Sequence, residues 1–403
     1  MNTLEIRLSV IKYTFHMVDG RLCIPRGLFG EGLEKKLFLI TTETSGDLLA
    51  GRLLNALNQM KPALNVQGVG GQSARASGMN CLYSVEDFNV MGLFEVLGQL
   101  KRLKAQFNVL VEHCKKWRPS AVVLIDAPDF NIRFAKALKG TGIPIIYYVS
   151  PQVWAWRAKR ARVLADLVDH MLVLFDFEKQ IYTELGLKAT WVGHSLVDEI
   201  ESHKTDAEFV NKIDRREGQK IITLAPGSRK SELKRHLPIY QDLILKAPEQ
   251  FRFLLPLAPA LSEADLGPLA FDKKIDVLPG KMRDAMSMAD AAVVASGTAT
   301  LETGLMGVPM VVGYKMKPLS YLLARKLVKV DHIALVNIVL KKRVVPELIQ
   351  SDFTAEKIWE ELEKITLGGG ERSKMKAEFM KLRQILGGGG AAVRAAEAVG
   401  AYL

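Results

Sequence analysis

From Lys36 onward the chain repeats a strand-sized apolar run, a Gly- or Pro-bearing turn and an amphipathic helical stretch. That order predicts βαβ units and parallel sheets, because a helix is the usual crossover between parallel neighbours. Strands are expected at 37–41, 65–69, 121–125, 143–149, 170–174 and 189–192, with helices between them. The charged stretch from Glu201 to Gly218, with His203-Lys-Thr-Asp-Ala-Glu208 and Asp214-Arg-Arg-Glu-Gly218, interrupts the series and reads as a boundary. A second series then places strands at 220–224, 251–256, 276–278, 291–295 and 310–314, and helices at 354–365, 371–386 and 391–402.

The expected fold class is therefore α/β, with two Rossmann-like, doubly wound domains at 37–205 and 206–386. With 403 residues, 48% of them hydrophobic, the chain is long enough for two cores. The run Gly387-Gly-Gly-Gly390 frees the terminal helix, 387–403, to pack back on the first domain. Residues 1–36 show no clear period and read as an extension without assigned role.

Because sheets of this kind bind ligands beyond the carboxyl ends of their strands, the turns there carry the chemistry. The turn after the first strand reads Thr42-Glu-Thr-Ser-Gly-Asp47 and runs directly into a helix. Gly46 permits close approach, and Ser45 or Asp47 could line a site or simply cap the helix. Glu43, between strand end and helix start, is placed to grip sugar hydroxyls. The third strand ends in Ile125-Asp-Ala-Pro-Asp-Phe-Asn131, where proline biases Ala127 toward an extended conformation and holds two carboxylates at the sheet edge. Asp129 is the favoured general base, although Asp126 could merely end the strand and Asp129 merely cap the next helix.

In the second series, Ala225-Pro-Gly227-Ser228-Arg229 presents amides and a guanidinium to phosphate. The turn Ser296-Gly297-Thr298 opens another helix, whose positive end suits a pyrophosphate. One turn on, Glu302 shares a face with Thr298 and could reach a ribose diol. Two anion sites converging on one diphosphate point to a nucleotide-sugar transferase. Neither acid near Asp126 belongs to an Asp-x-Asp triplet, and no His/Asp/Glu cluster has ligand spacing, so no metal and no other cofactor is expected. Arg229 would neutralise the leaving group instead.

The net charge of +11 implies anionic partners. Nucleic acid is excluded for want of zinc-finger spacing, RNP-like aromatics or a long basic run. Three cysteines without a CxxC pair suit a reducing compartment. No apolar run reaches a membrane span, and the first residues lack a signal-peptide pattern.

Taken together, Glu43-Thr-Ser-Gly-Asp47, Val90-Met-Gly-Leu-Phe-Glu-Val96, Ile125-Asp-Ala-Pro-Asp-Phe-Asn131, Tyr148-Val-Ser-Pro-Gln-Val-Trp-Ala-Trp-Arg157, Gly227-Ser-Arg229 and Ser296-Gly-Thr298 resemble the lipid-A-disaccharide synthase family. The likeness runs from about Leu37 to Leu403. Thr42 departs from it, where the family usually has glycine. The resemblance implies a GT-B glycosyltransferase that inverts at the anomeric carbon, joining UDP-2,3-diacylglucosamine to 2,3-diacylglucosamine 1-phosphate through a β(1→6) linkage. It also implies that Glu43, Ser45 and Asp47 line the active site and that Asn337 faces the cleft, so that Glu43 and Asp47 are expected to be catalytic with Asp129, and Ser45, Gly46, Asp126, Asn131 and Asn337 to bind substrate.

Acylated substrates would explain the basic charge. Leu93, Val96, Leu97, Leu100, Leu103 and Phe107 recur at helical spacing beside Lys101, Arg102 and Lys104, which suits a helix lying on the anionic inner face of an inner membrane. An ordinary core-facing helix would show the same stripe. Trp154 and Trp156, followed by basic residues, fit either an interfacial or an interior place. His194 reads as structural, and a homodimer exchanging terminal helices is left open. Two competing readings remain: a UDP-sugar 2-epimerase of the same fold, and a non-catalytic nucleotide-binding membrane adaptor.

Overall fold

The computed structural model describes residues 3–8, 11–18, 21–23, 35–88, 93–151, 153, 158–213, 215–272, 274–318, 321 and 331–403. Among them, three short strands, β1 (Thr3–Leu8), β2 (Ile11–Val18) and β3 (Arg21–Cys23), pair antiparallel. The Leu4, Ile6, Leu8 alternation with Glu5 and Arg7 is the period-2 signal behind this meander, which the sequence analysis passed over.

The first parallel sheet is built from β4 (Lys36–Ile40), β5 (Asn65–Gly70), β6 (Asn80–Ser84), β7 (Ala121–Ile125), β8 (Ile145–Tyr148), β9 (His170–Val173) and β10 (Lys188–Trp191), in the order β10-β9-β8-β7-β4-β5-β6. Strand pleating sends Phe38, Ile40, Val122 and Leu124 to one face and Leu37, Leu39, Val123 and Ile125 to the other. Both faces are covered, so these strands are apolar throughout. Helices Leu93–Trp117 and Pro128–Leu138 supply Leu110, Val111 and Phe134 to the first face. Helix Thr44–Met60 supplies Leu53 and Leu57 to the second.

The second sheet contains β11 (Lys220–Ala225), β12 (Phe251–Leu257), β13 (Ile275–Pro279), β14 (Ala291–Val294), β15 (Met310–Tyr314) and β16 (Glu347–Ile349), in the order β13-β12-β11-β14-β15-β16, also parallel. The half-exposed edge strands β6 and β16 were not foreseen, since neither is a continuous apolar run. In each sheet the winding reverses once, between β4 and β7 and between β11 and β14. Those two switch points open a crevice at the strand carboxyl ends, so the turns beginning at Thr41, Asp126, Pro226 and Ala295 meet there.

The last helix, Ala391–Gly400, returns to the first sheet, where Ala395, Ala396 and Val399 join Leu39 and Leu53 in one core. Gly387, Gly388 and Gly390 make the crossing in left-handed conformations, with φ of 92°, 60° and 86°. Beside it, Leu386 O accepts from the His194 amide at 3.1 Å, and Arg394 Nε donates to Val192 O at 2.8 Å. The Asp198 carboxylate accepts from the amides of Gly390 and Ala391 and so caps the helix.

Candidate active site

At the first switch point the backbone is strained. Asp126 and Ala127 have φ of 50° and 41°, and Val149, at the end of β8, has φ of 75°. Non-glycine residues avoid this region, a β-branched one most of all, and each costs on the order of 1–3 kcal/mol unless its surroundings enforce it. Here they do: Tyr147 Oη and Asn131 Nδ2 both donate to Asp126 O, at 2.5 and 2.8 Å, and Asn131 Nδ2 also reaches Ile125 O. Asn131, expected to bind substrate, instead has its amide engaged in turning the chain. The expectation of an extended Ala127 is likewise corrected.

The turn aims the Asp126 carboxylate at a cavity of about 360 Å³ that it lines with Ser150, Arg160, His194, Thr298 and Leu335. Burial first, and the nearby Glu43 charge second, push this carboxyl up to about 6. Asp129, the expected base, differs: its side chain is 81% exposed and pairs with Arg160 Nη2 at 2.6 Å. It is the first-turn acid after Pro128, and the helix geometry points it outward toward that cation.

The other first-half residues separate. Glu43 and Ser45 are exposed at the cleft turn. Gly46 is required by packing: a Cβ there would lie 2.1 Å from Thr41 Oγ1. Asp47 is buried, and its carboxylate accepts from the amides of Gly71, Ser73 and Ala74 at 2.6, 2.8 and 3.1 Å. It caps helix Gln72–Ala76 and is not available to substrate, which corrects its assignment as catalytic.

In the second domain, Gly227, Ser228, Arg229, Ser296, Gly297 and Glu302 line a cavity of about 490 Å³. Thr298, the first residue of helix Thr298–Leu305, lines this cavity and the one holding Asp126. The phosphate turn is occupied by a side chain of its own. Glu232 Oε2 accepts from the Ser228 and Arg229 amides at 3.1 and 3.3 Å, and Oε1 accepts from Arg229 Nη1 at 3.1 Å. An anion entering here therefore exchanges with a carboxylate rather than filling bare amides. Ser296 Oγ donates to Ile333 O at 2.7 Å, which ties its turn to the neighbouring loop.

Asn337 is buried away from the cleft: Nδ2 donates to Val345 O and Glu347 Oε1, while Oδ1 accepts from the Val344 and Val345 amides. Its place as a cleft residue is corrected, and its neighbour Leu335 lines the cavity instead.

The profile of the family described as lipid-A-disaccharide synthetase matches residues 37–397. The chain belongs to that family. Among curated lipid-A-disaccharide synthases, that of Anaeromyxobacter dehalogenans (strain 2CP-C) is 40% identical over 92% of this chain and 98% of its own. That of Syntrophus aciditrophicus is 39% identical over 90% and 96%. Solved structures with the same fold include UDP-GlcNAc 2-epimerase from Neisseria meningitidis bound to UDP-GlcNAc, with TM-score 0.60, 14% identity and coverage of 91% and 98%. The calicheamicin glycosyltransferase CalG4 gives TM-score 0.58 at 15% identity over 92% and 98%. This lipid-A-disaccharide synthetase family member is thus a glycosyltransferase with the GT-B fold.

Glu232, which sequence reasoning missed, and His194, which it read as structural, stand out in this member of the synthetase family. Glu232, which braces the phosphate turn, is the third helical residue after Arg229, the place where a carboxylate reaches back to a helix start. His194 lies at the carboxyl end of β10 and lines the Asp126 cavity; its helix-start position after a strand was the available signal. The proposed membrane stripe resolves in part. Phe107 packs on Phe130 and Phe134 and so faces the core, and Lys101, Arg102 and Lys104 are exposed. The side chains of Leu93, Val96, Leu97 and Leu100, and Trp154 and Trp156, lie outside the described residues. Among the described residues no helix is long and apolar enough to cross a membrane.

Proposed function

We propose that the chain transfers the sugar of UDP-2,3-diacylglucosamine to the 6-hydroxyl of 2,3-diacylglucosamine 1-phosphate, with inversion, giving a β(1→6)-linked disaccharide 1-phosphate and UDP. The observation that carries this reading is that Asp126, from the first domain, and Thr298, from the second, line one cavity, while Thr298 also lines the cavity of the phosphate turn. Base and leaving-group site are then neighbours across the cleft, as an in-line displacement requires.

Asp126 is the better base of the pair. Its carboxyl is largely buried, is pushed up to about 6 and borders the cavity, whereas Asp129 is exposed and holds Arg160. The acceptor hydroxyl gives its proton to Asp126 as its oxygen attacks the anomeric carbon, and the bond to the UDP oxygen breaks with both electrons going to UDP. Arg229, the Ser228 amide and the start of helix Thr298–Leu305 receive that charge, so no metal is called for in this reading. Glu302 takes the ribose diol.

The lipid partners follow from the family and from charge. Exposed Lys101, Arg102 and Lys104 and the net charge of +11 support docking on the anionic cytoplasmic face of the inner membrane. The test is to incubate the protein with both diacylated substrates and follow UDP and disaccharide. Release of UDP that does not depend on acceptor, or an α-anomeric product, would refute the reading.

A further inference from the structure

Glu302 belongs to a chain of charges that leaves its own domain. Its Oε1 accepts from Arg283 Nε at 2.7 Å. Arg283 Nη2 donates in turn to Glu199 Oε2, and Glu199 Oε1 accepts from Arg52 Nη1 at 2.5 Å. Arg52 stands on helix Thr44–Met60 of the first domain, Glu199 on helix Ser195–Ser202 after β10, and Arg283 on helix Met282–Met288 of the second. The four side chains are between 16% and 33% exposed, so their pairing is less screened than a surface pair. Burial acts to raise the Glu199 carboxyl, yet the two arginines hold it below the usual carboxylate range.

The geometry at Glu302 is one-sided. Arg283 gives it only the Nε donor, and among the described residues nothing hydrogen-bonds to Oε2. A guanidinium free of other partners closes on a carboxylate through Nε and Nη2 together, taking both oxygens. Glu199 draws Nη2 to itself, and Nη2 makes no hydrogen bond to Glu302.

We propose that Arg283 and Glu199 are positioning residues for nucleotide recognition: Glu199, braced by Arg52, keeps Arg283 from clamping Glu302, so that the second carboxylate oxygen stays available to the ribose diol. The inference rests on the reading of Glu302 as the ribose ligand. It makes a residue outside the nucleotide cavity a determinant of selectivity for ribose over deoxyribose, and it ties the donor site to the first domain.

The experiment is calorimetric titration of the full chain with UDP and with 2′-deoxy-UDP. Wild type is expected to favour UDP by roughly tenfold, the value of one good hydrogen bond to a charged group. Glu302→Gln should abolish that preference, and if it does not, the ribose assignment fails and the inference with it. Given that loss, Glu199→Gln should lower UDP affinity about three- to tenfold while 2′-deoxy-UDP affinity stays as in wild type, shrinking the preference. An unchanged ratio in Glu199→Gln would overturn the inference, whether both affinities hold or both fall together, because the second pattern marks a merely structural role.

Discussion

His194 Nδ1 accepts the backbone N–H of Leu196 at 3.2 Å, which fixes the proton of the neutral ring on Nε2. Burial pushes this imidazole down to about 4, with the Glu199 charge only partly opposing. It stays neutral across the working range and borders the Asp126 cavity as a hydrogen-bond donor. His194→Gln, which keeps a donor, should lower kcat by less than about tenfold and His194→Ala by more. Both should retain the acid limb of the pH–rate profile. Loss of that limb in His194→Gln would make the histidine, not Asp126, the titrating group.

Asp126 must be ionised to accept a proton, so kcat should rise with pH through about 6 and level off above it. Asp126→Asn should cut turnover by about 10²–10⁴-fold with UDP affinity retained. Asp129→Asn removes one exposed partner of Arg160 and should cost far less. Equal losses in the two variants would count against the assignment.

The same carboxyl carries a stability signature. Its folded value lies above the unfolded one, so between about pH 4 and 6 the native state holds a proton that the unfolded chain has released, and stability falls as pH rises through that window. Asp126→Asn should therefore melt at or above the wild-type Tm at pH 7. A marked drop would show that the charge is compensated in the fold.

Asp47 ties three amides of a helix start to the helix that follows β4. Asp47→Ala should destabilise the protein by about 2–3 kcal/mol in urea unfolding, since two buried amides and one partly buried amide lose a charged acceptor. UDP affinity should not change. A stable but inactive variant would restore the catalytic role that the geometry denies it.

Arg229, 75% exposed and anchored by Glu232, should act on phosphate alone. Arg229→Ala is expected to weaken UDP about tenfold or more and to leave uridine binding unaltered. Parallel loss of both would indicate collapse of the turn.

The two sheets were legible because buried parallel strands such as Ala121–Ile125 are uninterrupted apolar runs, and the switch-point turns because they lie where those runs stop. The roles within the turns were not. Whether an acid caps a helix, pairs with an arginine or faces a cavity depends on partners distant in sequence: Asp47 meets Gly71, and Asn337 meets Val345. The choice between Asp126 and Asp129 turned on two left-handed residues, which sequence does not announce when neither is glycine. Glu199 was invisible for the same reason, its partners Arg52 and Arg283 lying on other helices.

Because Ala395, Ala396 and Val399 complete, beside helix Thr44–Met60, the core beneath Leu39 and Leu53, part of one face of the first sheet stays uncovered until residues 391–400 have left the ribosome. The first domain, although encoded first, is finished last, after the whole second domain has been made. A chain lacking helix Ala391–Gly400 would therefore carry Asp126 on an unfinished scaffold. Closing that core thus joins the two ends of the fold in a single folding event.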